Sequence, residues 1–328
     1  MNLMTDSLIN VAIVGAGSMA REHIRAFQSI PGVSVAGIHS RTRAKAEALA
    51  AEFGIASVCD SVEELHQTTG AKLVVVTVFE TAMKRVALEC CRFNWTLMLE
   101  KPPGMHLADA LDIHAVAKRA GLKVVVGLNR RFLNSSLTAA DDLAQHDVPR
   151  FIHVYDQQDL KVAQALNHPP EVVDNWMFAN SVHLVDYLRF FGRGRITNVT
   201  PVATWNPQSP GVVIARVDFE SGDIGVYEAI WNGPGPWSVT VTTPVRRWEM
   251  RPLEQAQFQN AGERKQQIVP PTEFDAQFKP GFRRQAEQAV AAAAGLPATI
   301  PTMDEALETM RLIDVIYRPD TVAARRAA

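Results

Sequence analysis

Cysteine is scarce in this chain, which has three among 328 residues, and two of them, Cys90 and Cys91, are adjacent. Such a set does not fit a disulfide framework, which needs several cysteines spread along a short secreted sequence. The cysteines also form no CxxC pair and have no spacing with histidine that is typical of zinc sites. The sequence therefore predicts a protein without disulfides or a metal site, in a reducing cytoplasm.

An excess of charge of either sign is absent too. The chain has 33 Lys and Arg against 35 Asp and Glu, a net charge of −2. This balance argues against nucleic acid as the main partner, because proteins that bind polyanions carry a basic excess.

No apolar run reaches the roughly 18–20 residues of a membrane-spanning helix. The stretch Met1–Asn10 also lacks the basic start of a secretory signal, which argues against a signal peptide. We expect no membrane partner.

What the N-terminal part does contain is an alternation of apolar runs and helical patterns. The predicted buried strands are Ile9–Val14, Val33–Ile38, Leu73–Val78, Thr96–Leu99 and Val124–Val126. The helical patterns between them include Met19–Ser29, Ala44–Phe53, Ala82–Arg92 and Leu107–Ala120. This βαβ alternation predicts a doubly wound parallel sheet of the Rossmann type.

The pattern changes near residue 128, where longer strand-like segments begin. They are Arg150–Gln157, Ile196–Thr204, Val212–Phe219, Ile224–Trp231, Trp237–Thr243 and Arg246–Arg251. We therefore predict a dinucleotide-binding domain at 1–127 and a second domain at 128–328. The second domain is expected to be α+β with a large open, mainly antiparallel sheet, and its last helices can return to the first domain.

One strand of the second domain carries apolar side chains on both faces. Val226 and Ile230 point to one side, while Tyr227 and Trp231 point to the other. One face is expected to pack on helices. The other face meets a second subunit or is covered by the chain itself, and the sequence leaves these two alternatives open.

The first strand leads into a glycine-rich turn. The order strand, Gly15-x-Gly17-x-x-Ala20, helix is typical of dinucleotide-binding sites. Gly15 permits the tight turn, Gly17 lets the backbone approach a diphosphate, and Ala20 allows close packing of the helix. Ser18 and Met19 open the helix whose N-terminus would hold the phosphates. Alone the triplet is a weak signal, but its place in the first βα unit strengthens it.

The second strand bears on the choice between NAD and NADP. Its end lacks the acidic residue that would bind the ribose 2′-hydroxyl of NAD and reads Ser40-Arg41 instead. Arg41 and Arg43 are suited to a 2′-phosphate, so the sequence favours NADP over NAD. Solvated arginines at a helix start are the alternative, and the preference stays open.

The fifth strand ends in Glu100-Lys101-Pro102-Pro103. Ligands of open α/β sheets bind beyond the carboxyl ends of the strands, which is where Lys101 emerges. A lysine there can exchange a proton with a substrate oxygen. Glu100 and Lys101 are both expected to lie at the cofactor. A surface lysine before a rigid proline turn is the plain alternative.

These motifs, with Val126–Phe132 after the last strand, resemble the glucose-fructose oxidoreductase / inositol dehydrogenase (Gfo/Idh/MocA) family. The resemblance covers most of the chain. It implies an N-terminal Rossmann domain that binds NAD or NADP and a C-terminal domain with the substrate pocket and the contacts of a homodimer or homotetramer. It also implies that Lys101 binds substrate and moves a proton, and that the Lys101–Pro102 peptide is cis.

The second signature of that family is Asp-x-Gly-x-His-x-x-Asp. The matching stretch keeps His183 and Asp186 but has Ala179 for the first acid and Ser181 for the glycine. His183 is expected to be a proton relay or substrate partner, since imidazole exchanges protons near neutral pH. Asp186 is expected to orient the His183 ring.

Three further residues are expected near the substrate. Asn180 is the best polar substitute for the missing acid, and Trp176 offers a platform for a sugar ring, although a lone Trp is more often core. Arg131 can clamp a phosphate or carboxylate, although such an arginine is more often in a structural pair. Val78-Phe79-Glu80-Thr81 departs from the family's pattern after the fourth strand, so the cofactor contacts there do not carry over.

The resemblance implies an NAD(P)-dependent oxidoreductase acting on the CH–OH group of a sugar, sugar derivative or cyclitol. The substrate is expected to lie between the domains. The missing acid at Ala179 leaves a second hypothesis: a cofactor-binding sensor or assembly protein of reduced activity. An enzyme of the same fold that acts on an imine, or that runs redox-neutral chemistry, is a third.

Overall fold

The structure, a computed structural model, describes residues 9–318. These residues divide into two compact units. The first unit comprises 9–129 and 276–307, and the second comprises 130–275 and 308–318. Each unit has its own sheet.

The first unit is built on six parallel strands. They are β1 Ile9–Val14, β2 Val33–His39, β3 Ser57–Cys59, β4 Leu73–Val76, β5 Thr96–Glu100 and β6 Val124–Gly127. Their order is β3-β2-β1-β4-β5-β6. Successive strands are therefore added on one side of β1 as far as β3 and on the other side from β4 onward, and the order of strands switches between β1 and β4. A crevice opens beyond the carboxyl ends of strands at such a switch point. The predicted doubly wound sheet is confirmed.

Helices join these strands. They are α1 Ser18–Gln28, α2 Arg43–Phe53, α3 Val62–Thr69, α4 Glu80–Cys90 and α5 Leu107–Arg119. A later helix, α12 Phe282–Ala293, also belongs to this unit and packs on α1. The sequence did not predict β3 and α3, because a three-residue edge strand leaves no apolar run to detect.

The second unit holds a mixed sheet of eight strands. They are β7 Phe151–Gln158, β8 Ile196–Ala203, β9 Val212–Phe219, β10 Ile224–Trp231, β11 Ser238–Thr242, β12 Arg246–Met250, β13 Ala256–Asn260 and β14 Gln267–Val269. The order is β14-β13-β12-β11-β7-β10-β9-β8. Among these described strands, only β7 and β10 are parallel neighbours. The predicted large, mainly antiparallel sheet is confirmed.

Among the described residues, six further α-helices occur in the part of the sequence that contains the second sheet. They are α6 Asn134–Leu143, α7 Leu160–Ala165, α8 Pro170–Asp174, α9 Trp176–Ala179, α10 Val182–Phe191 and α11 Glu273–Gln277. The last helix, α13 Met303–Tyr317, begins in the first unit and ends in the second. Within the second unit, α10 packs on β7 and β10. The parallel strand pair and α10 together position the polar residues described below.

The two faces of β10 differ in burial. Tyr227 and Trp231 are buried on the face that packs on helices, whereas Val226 and Ile230 on the other face are half-buried. Burial also alternates along the neighbouring strand β7, where every second residue from Ile152 to Gln158 is buried. The second face of the sheet is thus only partly covered within the described residues.

The three cysteines, Cys59, Cys90 and Cys91, are free and buried. Burial raises the pKa of the Cys91 thiol to about 11 and that of Cys90 further. Buried thiols of this kind are inert nucleophiles. Within residues 9–318, no helix is both long and apolar enough to cross a membrane.

Candidate active site

The turn between β1 and α1 leaves room for a ligand. Gly15 has φ +115°, and a Cβ there would lie 2.6 Å from Thr77 Oγ1, so only glycine fits. Gly17 is the N-cap of α1, and a Cβ there would meet nothing within 4 Å. No side chain caps this helix, and its first turn carries no acidic residue. The turn therefore offers uncapped amides and open space, which suit a diphosphate.

The three residues that open α1 have different environments. Ala20 is fully buried, which allows α1 to pack closely on β1. Ser18 is exposed, and the Sδ atom of the half-buried Met19 lies 3.2 Å from Nζ of Lys279. The predicted cofactor contacts of Ser18 and Met19 stay predictions.

A groove of about 220 Å³ continues from the glycine turn along the ends of β2 and β4. Ser40 and Arg41, which the sequence assigns to the cofactor ribose, line this groove. Two further cations, Lys45 and Arg85, also line the groove, although the sequence patterns did not single them out. The groove is therefore basic, which suits a ligand with several phosphates.

The two arginines suggested for a 2′-phosphate have different partners. Arg43 Nε donates to Glu47 Oε1 at 2.9 Å, and Arg43 also pairs with Asp60. Arg43 is not among the groove-lining residues, whereas the exposed Arg41 is. Arg41 is the better placed of the two to meet a ligand in the groove.

An aromatic side chain occupies the segment where the sequence departs from the expected pattern after β4. Phe79 is the N-cap of α4, is 68% exposed and lines the groove. An exposed ring in a groove offers a flat apolar surface to a planar ligand.

The end of β5 is held by a buried pair. Glu100 Oε1 lies 2.6 Å from Nε2 of His23 on α1, and Oε2 accepts from the Lys101 amide at 3.2 Å. Burial by itself raises the pKa of Glu100, but the hydrogen bond and charge of His23, with Lys101, outweigh it, so the pKa is lowered. Glu100 is thus an ionised anchor directly before Lys101.

Lys101 follows this anchor at the carboxyl end of the sheet and is half-buried. The Lys101–Pro102 peptide is cis, as the resemblance implied. Pro102 and Pro103 are buried behind it. The backbone of Lys101 is therefore held on both sides, by Glu100 and by the proline turn.

The second unit has a cavity of about 600 Å³ near the carboxyl ends of the parallel strands β7 and β10. It is lined by Gln157, Gln158, Asp159, Val162, Ala163, Leu166, Trp176, Asn180, Asn232, Gly233, Pro234 and Trp237. The sequence predicted Trp176 and Asn180 as substrate-binding residues, and the structure places both in this one cavity.

Trp176 and Asn180 share a partner that the sequence patterns did not single out. Trp176 Nε1 and Asn180 Nδ2 each donate to Gln158 Oε1 at 2.8 Å. Gln158 is the last residue of β7 and is 1% exposed. Its side chain therefore joins the two predicted substrate contacts.

His183 lies on α10 and is 6% exposed. Its ring centroid is 6.3 Å from that of Trp237, which lines the cavity. His183 belongs to the second unit and Lys101 to the first. The predicted proton relay of His183 stays a prediction.

Arg131 and Asp186 are bound to each other. Arg131 Nε and Nη2 donate to the two oxygens of Asp186 at 2.6 and 2.7 Å. Asp186 Oδ1 also accepts from Thr309 Oγ1 at 2.8 Å. Both side chains are largely buried, so the structure favours the alternative of a structural pair for Arg131. The carboxylate that was expected to orient His183 is engaged by Arg131 and Thr309.

Within residues 9–318, no group of three or more His, Cys, Asp or Glu side chains is arranged to hold a metal ion.

Comparison with known protein families shows which family the first unit resembles. Residues 9–128 match the model of an oxidoreductase family with an NAD-binding Rossmann fold, Gfo/Idh/MocA. Residues 9–128 are therefore similar to the NAD-binding domain of the Gfo/Idh/MocA family. The predicted resemblance is confirmed.

Relatives of known activity are distant. A 4-carboxy-2-hydroxymuconate-6-semialdehyde dehydrogenase from Sphingobium sp. (strain NBRC 103272 / SYK-6) is 23% identical over 70% of this chain and 74% of its own. An inositol 2-dehydrogenase from Arthrobacter sp. (strain FB24) is 26% identical over 70% of this chain and 68% of its own. The chain spans about half the length of several other relatives, among them a 1,5-anhydro-D-fructose reductase from Ensifer adhaerens.

Solved structures share the fold of both units. A dehydrogenase from Chromobacterium violaceum aligns with a TM-score of 0.81 over 98% of both chains, at 18% identity. An aldose-aldose oxidoreductase from Caulobacter crescentus, complexed with glycerol, aligns with a TM-score of 0.79 over 98% of both chains, also at 18% identity. At this identity the likeness shows a shared fold and no more.

The family's second signature is altered where this chain has Ala179. Ala179 is the last residue of α9 and is buried, and Ser181 beside it is fully buried. The polar side chain that reaches the cavity from this stretch is Asn180. In this chain an amide thus stands next to the position at which the Gfo/Idh/MocA signature has an acid.

Proposed function

We propose that this chain is an NAD(P)-dependent dehydrogenase or reductase that acts on the CH–OH group, or the matching ketone, of a sugar, sugar derivative or cyclitol. The observation that carries the proposal is the uncapped glycine turn that opens into a basic groove, in a unit whose fifth strand leads directly into Lys101. The match of residues 9–128 to the oxidoreductase family model supports oxidoreductase chemistry, and the substrate class is our inference.

The residues of the first unit fit a dinucleotide. The amides at the start of α1 would hold the diphosphate, and Gly17 leaves the space for its approach. When bound, a nicotinamide dinucleotide supplies or accepts the hydride. Ser40 and Arg41 would bind the ribose end of the cofactor, where arginine favours a 2′-phosphate and thus NADP.

Substitution of Gly17 by alanine tests the diphosphate site. The fold should persist, because a Cβ at Gly17 meets nothing within 4 Å. Dinucleotide affinity should fall about 10- to 100-fold, because the methyl group occupies the space through which the diphosphate approaches. Calorimetric titration measures the affinity and thermal unfolding measures the stability.

The matched control is Gly211→Ala in the second unit, where a Cβ has its nearest neighbour at 3.8 Å. It should leave both quantities unchanged. Equal dinucleotide affinity of Gly17→Ala and the wild type would remove the glycine turn from the site.

Substitution of Arg41 by alanine tests the cofactor preference. We expect the dissociation constant of NADP to rise about tenfold while that of NAD changes little, because one charge-assisted contact to the 2′-phosphate is lost. Arg43→Ala is the matched control, since Arg43 is held by Glu47 and Asp60. If Arg41→Ala weakened NAD and NADP equally, the assignment of Arg41 to the 2′-phosphate would be wrong.

Proton transfer and substrate orientation are assigned to separate residues. Lys101 would give a proton to, or take one from, the substrate oxygen through Nζ. His183 would extend that exchange or bind a substrate hydroxyl, since imidazole can both donate and accept. Asn180 and Trp176 would orient the substrate in the cavity of the second unit.

The proposal is tested by incubating the purified chain with NAD or NADP and a panel of sugars, keto-sugars and cyclitols. Formation or loss of reduced nicotinamide is followed by its ultraviolet absorbance. We expect turnover with at least one uncharged polyhydroxy compound. Binding of dinucleotide without turnover on any member of the panel would contradict the proposed activity.

That contrary result would favour a second candidate, a cofactor-binding protein of reduced activity. The buried Ala179 in place of the signature acid is the observation behind it. An enzyme acting on an imine would be revealed by adding amines with the keto-sugars to the same assay.

We also propose a homo-oligomer formed through the half-buried face of the second sheet, which carries Val226 and Ile230. Light scattering of the purified chain checks this, and a monomeric mass would contradict it. The free, buried cysteines are in keeping with the cytoplasmic location that we propose.

A further inference from the structure

Three hydrogen bonds connect the cavity of the second unit to its core. Trp176 Nε1 and Asn180 Nδ2 donate to Gln158 Oε1, both at 2.8 Å, and Gln158 Nε2 donates to Asp156 Oδ1 at 2.6 Å. We call these four side chains the amide relay. Gln158 and Asp156 are 1% and 0% exposed, whereas Trp176 and Asn180 line the cavity.

The direction of the relay follows from the chemistry of its members. An indole N–H only donates, so the Gln158 atom that faces Trp176 has to be the carbonyl oxygen. The amino group of Gln158 then faces Asp156, and the group of Asn180 that reaches the same oxygen has to be its amino group. Because its amino group is bound to Gln158, Asn180 is held in the orientation in which its carbonyl oxygen, Oδ1, points away from Gln158.

The inner end of the relay is fixed by two tyrosines. Tyr227 Oη donates to Asp156 Oδ2 at 2.6 Å, and the Tyr227 and Tyr317 hydroxyls are 2.8 Å apart. Both carboxylate oxygens of Asp156 thus accept a hydrogen bond. All three side chains are buried in the second unit, so Asp156 cannot turn away from Gln158 without leaving a buried polar group unpaired.

We infer that Gln158 is a positioning residue of the cavity, which holds Asn180 as a hydrogen-bond acceptor and fixes the Trp176 ring as a flat wall. Asp159 is the one charged side chain among the lining residues, and its Oδ1 accepts from two amides of α7. The cavity thus fits an uncharged ligand that donates from hydroxyl groups and stacks a C–H face on indole. This inference rests on the proposed function, whose substrate class it narrows.

The relay is tested without substrate by the indole ¹⁵N–¹H spectrum of the full chain. The six tryptophans give six resonances, and Trp176→Phe identifies the one that belongs to Trp176. In Gln158→Leu that resonance should move and its proton should exchange faster with water, because the acceptor is lost. An unmoved Trp176 resonance in Gln158→Leu would overturn the relay.

Gln158→Glu gives a sharper signature. The introduced carboxyl, which faces Asp156, can replace the amide only if one proton is shared between the two groups. The Trp176 resonance should be native-like at low pH and should shift as the pH rises and the second carboxyl ionises, because burial and the neighbouring carboxyl both raise the pKa at which that proton is lost. The ring of His168 lies 5.0 Å from that of Trp176, and burial raises the pKa of Asp156. The wild type and the matched control Gln259→Glu, on β13, share both features, so the transition that counts is one that only Gln158→Glu shows. Identical pH profiles of Gln158→Glu and Gln259→Glu would overturn the inference.

Asn180→Asp is the alternative test if substitutions of the buried Gln158 prevent folding. Its carboxylate would face Gln158 Oε1, so the same dependence of the Trp176 resonance on pH is expected from the cavity side. The other five indole resonances report whether each variant is folded. A pH-independent Trp176 resonance in folded Asn180→Asp would contradict the relay.

Kinetics connect the relay to the substrate. With any polyol turned over in the panel, Gln158→Leu should raise KM about 10- to 100-fold, with a smaller change in kcat, because Asn180 and Trp176 lose their orientation. An unchanged KM, with a shifted Trp176 resonance, would mean that the relay exists but does not serve substrate binding. The absence of turnover in the wild type would instead count against the proposed function, and the spectra separate the two failures.

Discussion

Lys101→Ala is expected to lower kcat about 10²- to 10⁴-fold, the usual contribution of a positioned general acid or base. The ammonium group is assigned to the substrate oxygen, so its loss removes proton transfer and leaves the dinucleotide site intact. Steady-state kinetics on a substrate from the panel measure kcat, and calorimetric titration measures cofactor affinity. The expected pattern is a large loss of turnover at nearly constant dinucleotide affinity.

Lys118→Ala is the matched control for this change. Lys118 is exposed on α5 of the same unit and lies outside the described groove. Its removal should leave kcat unchanged. If Lys101→Ala and Lys118→Ala turned over substrate at the same rate, Lys101 would have no part in proton transfer.

Arg131→Ala should lower the free energy of unfolding by about 3–5 kcal/mol, because it leaves the Asp186 carboxylate buried without its charged partner. The side chains of Arg131 and Asp186 are 11% and 4% exposed, so water cannot replace the lost contacts. Arg131→Lys should recover only part of the loss, since lysine cannot form the two parallel bonds. Denaturant unfolding measures each variant.

The comparison for this prediction is Arg195→Ala. Arg195 pairs with Glu220 at 3.0 Å, but both side chains are largely exposed. Exposed pairs contribute little, so the unfolding midpoint should hardly change. Equal stabilities of Arg131→Ala and Arg195→Ala would show that the buried pair does not support the fold.

The sequence predicted the first sheet well because its central strands are continuous apolar runs. All four residues of Leu73–Val76 are buried, as expected for a parallel strand covered on both sides. Ser57–Cys59 and Gln267–Val269 escaped prediction because each is a three-residue edge strand. Ala256–Asn260 is mainly polar, so backbone pairing rather than a hydrophobic pattern defines it.

Sequence patterns point to those candidate residues whose motif is local in the chain. The glycine turn, Ser40 and Arg41 are short motifs at strand ends, and one groove contains them all. The partner of Glu100 was not predictable in this way, because His23 lies 77 positions earlier and meets it only after folding. Long-range pairs of this kind leave no spacing signal in one sequence.

The amide relay did leave a signal in the sequence that was not used. Strand β7 alternates, and its buried positions are Ile152, Val154, Asp156 and Gln158. Two apolar residues followed by two polar ones on the same inward face break the usual pattern, because buried polar groups need partners. Such a break at the carboxyl end of a strand indicates a buried polar network near a site.

The central claim is that the glycine turn of the first unit binds the diphosphate of a nicotinamide dinucleotide. The most direct measurement is calorimetric titration of NADP and of NAD into folded protein shown to carry no resident nucleotide. We expect one binding event per chain, with the smaller dissociation constant for NADP. No binding of either dinucleotide, in either redox state, would contradict the account.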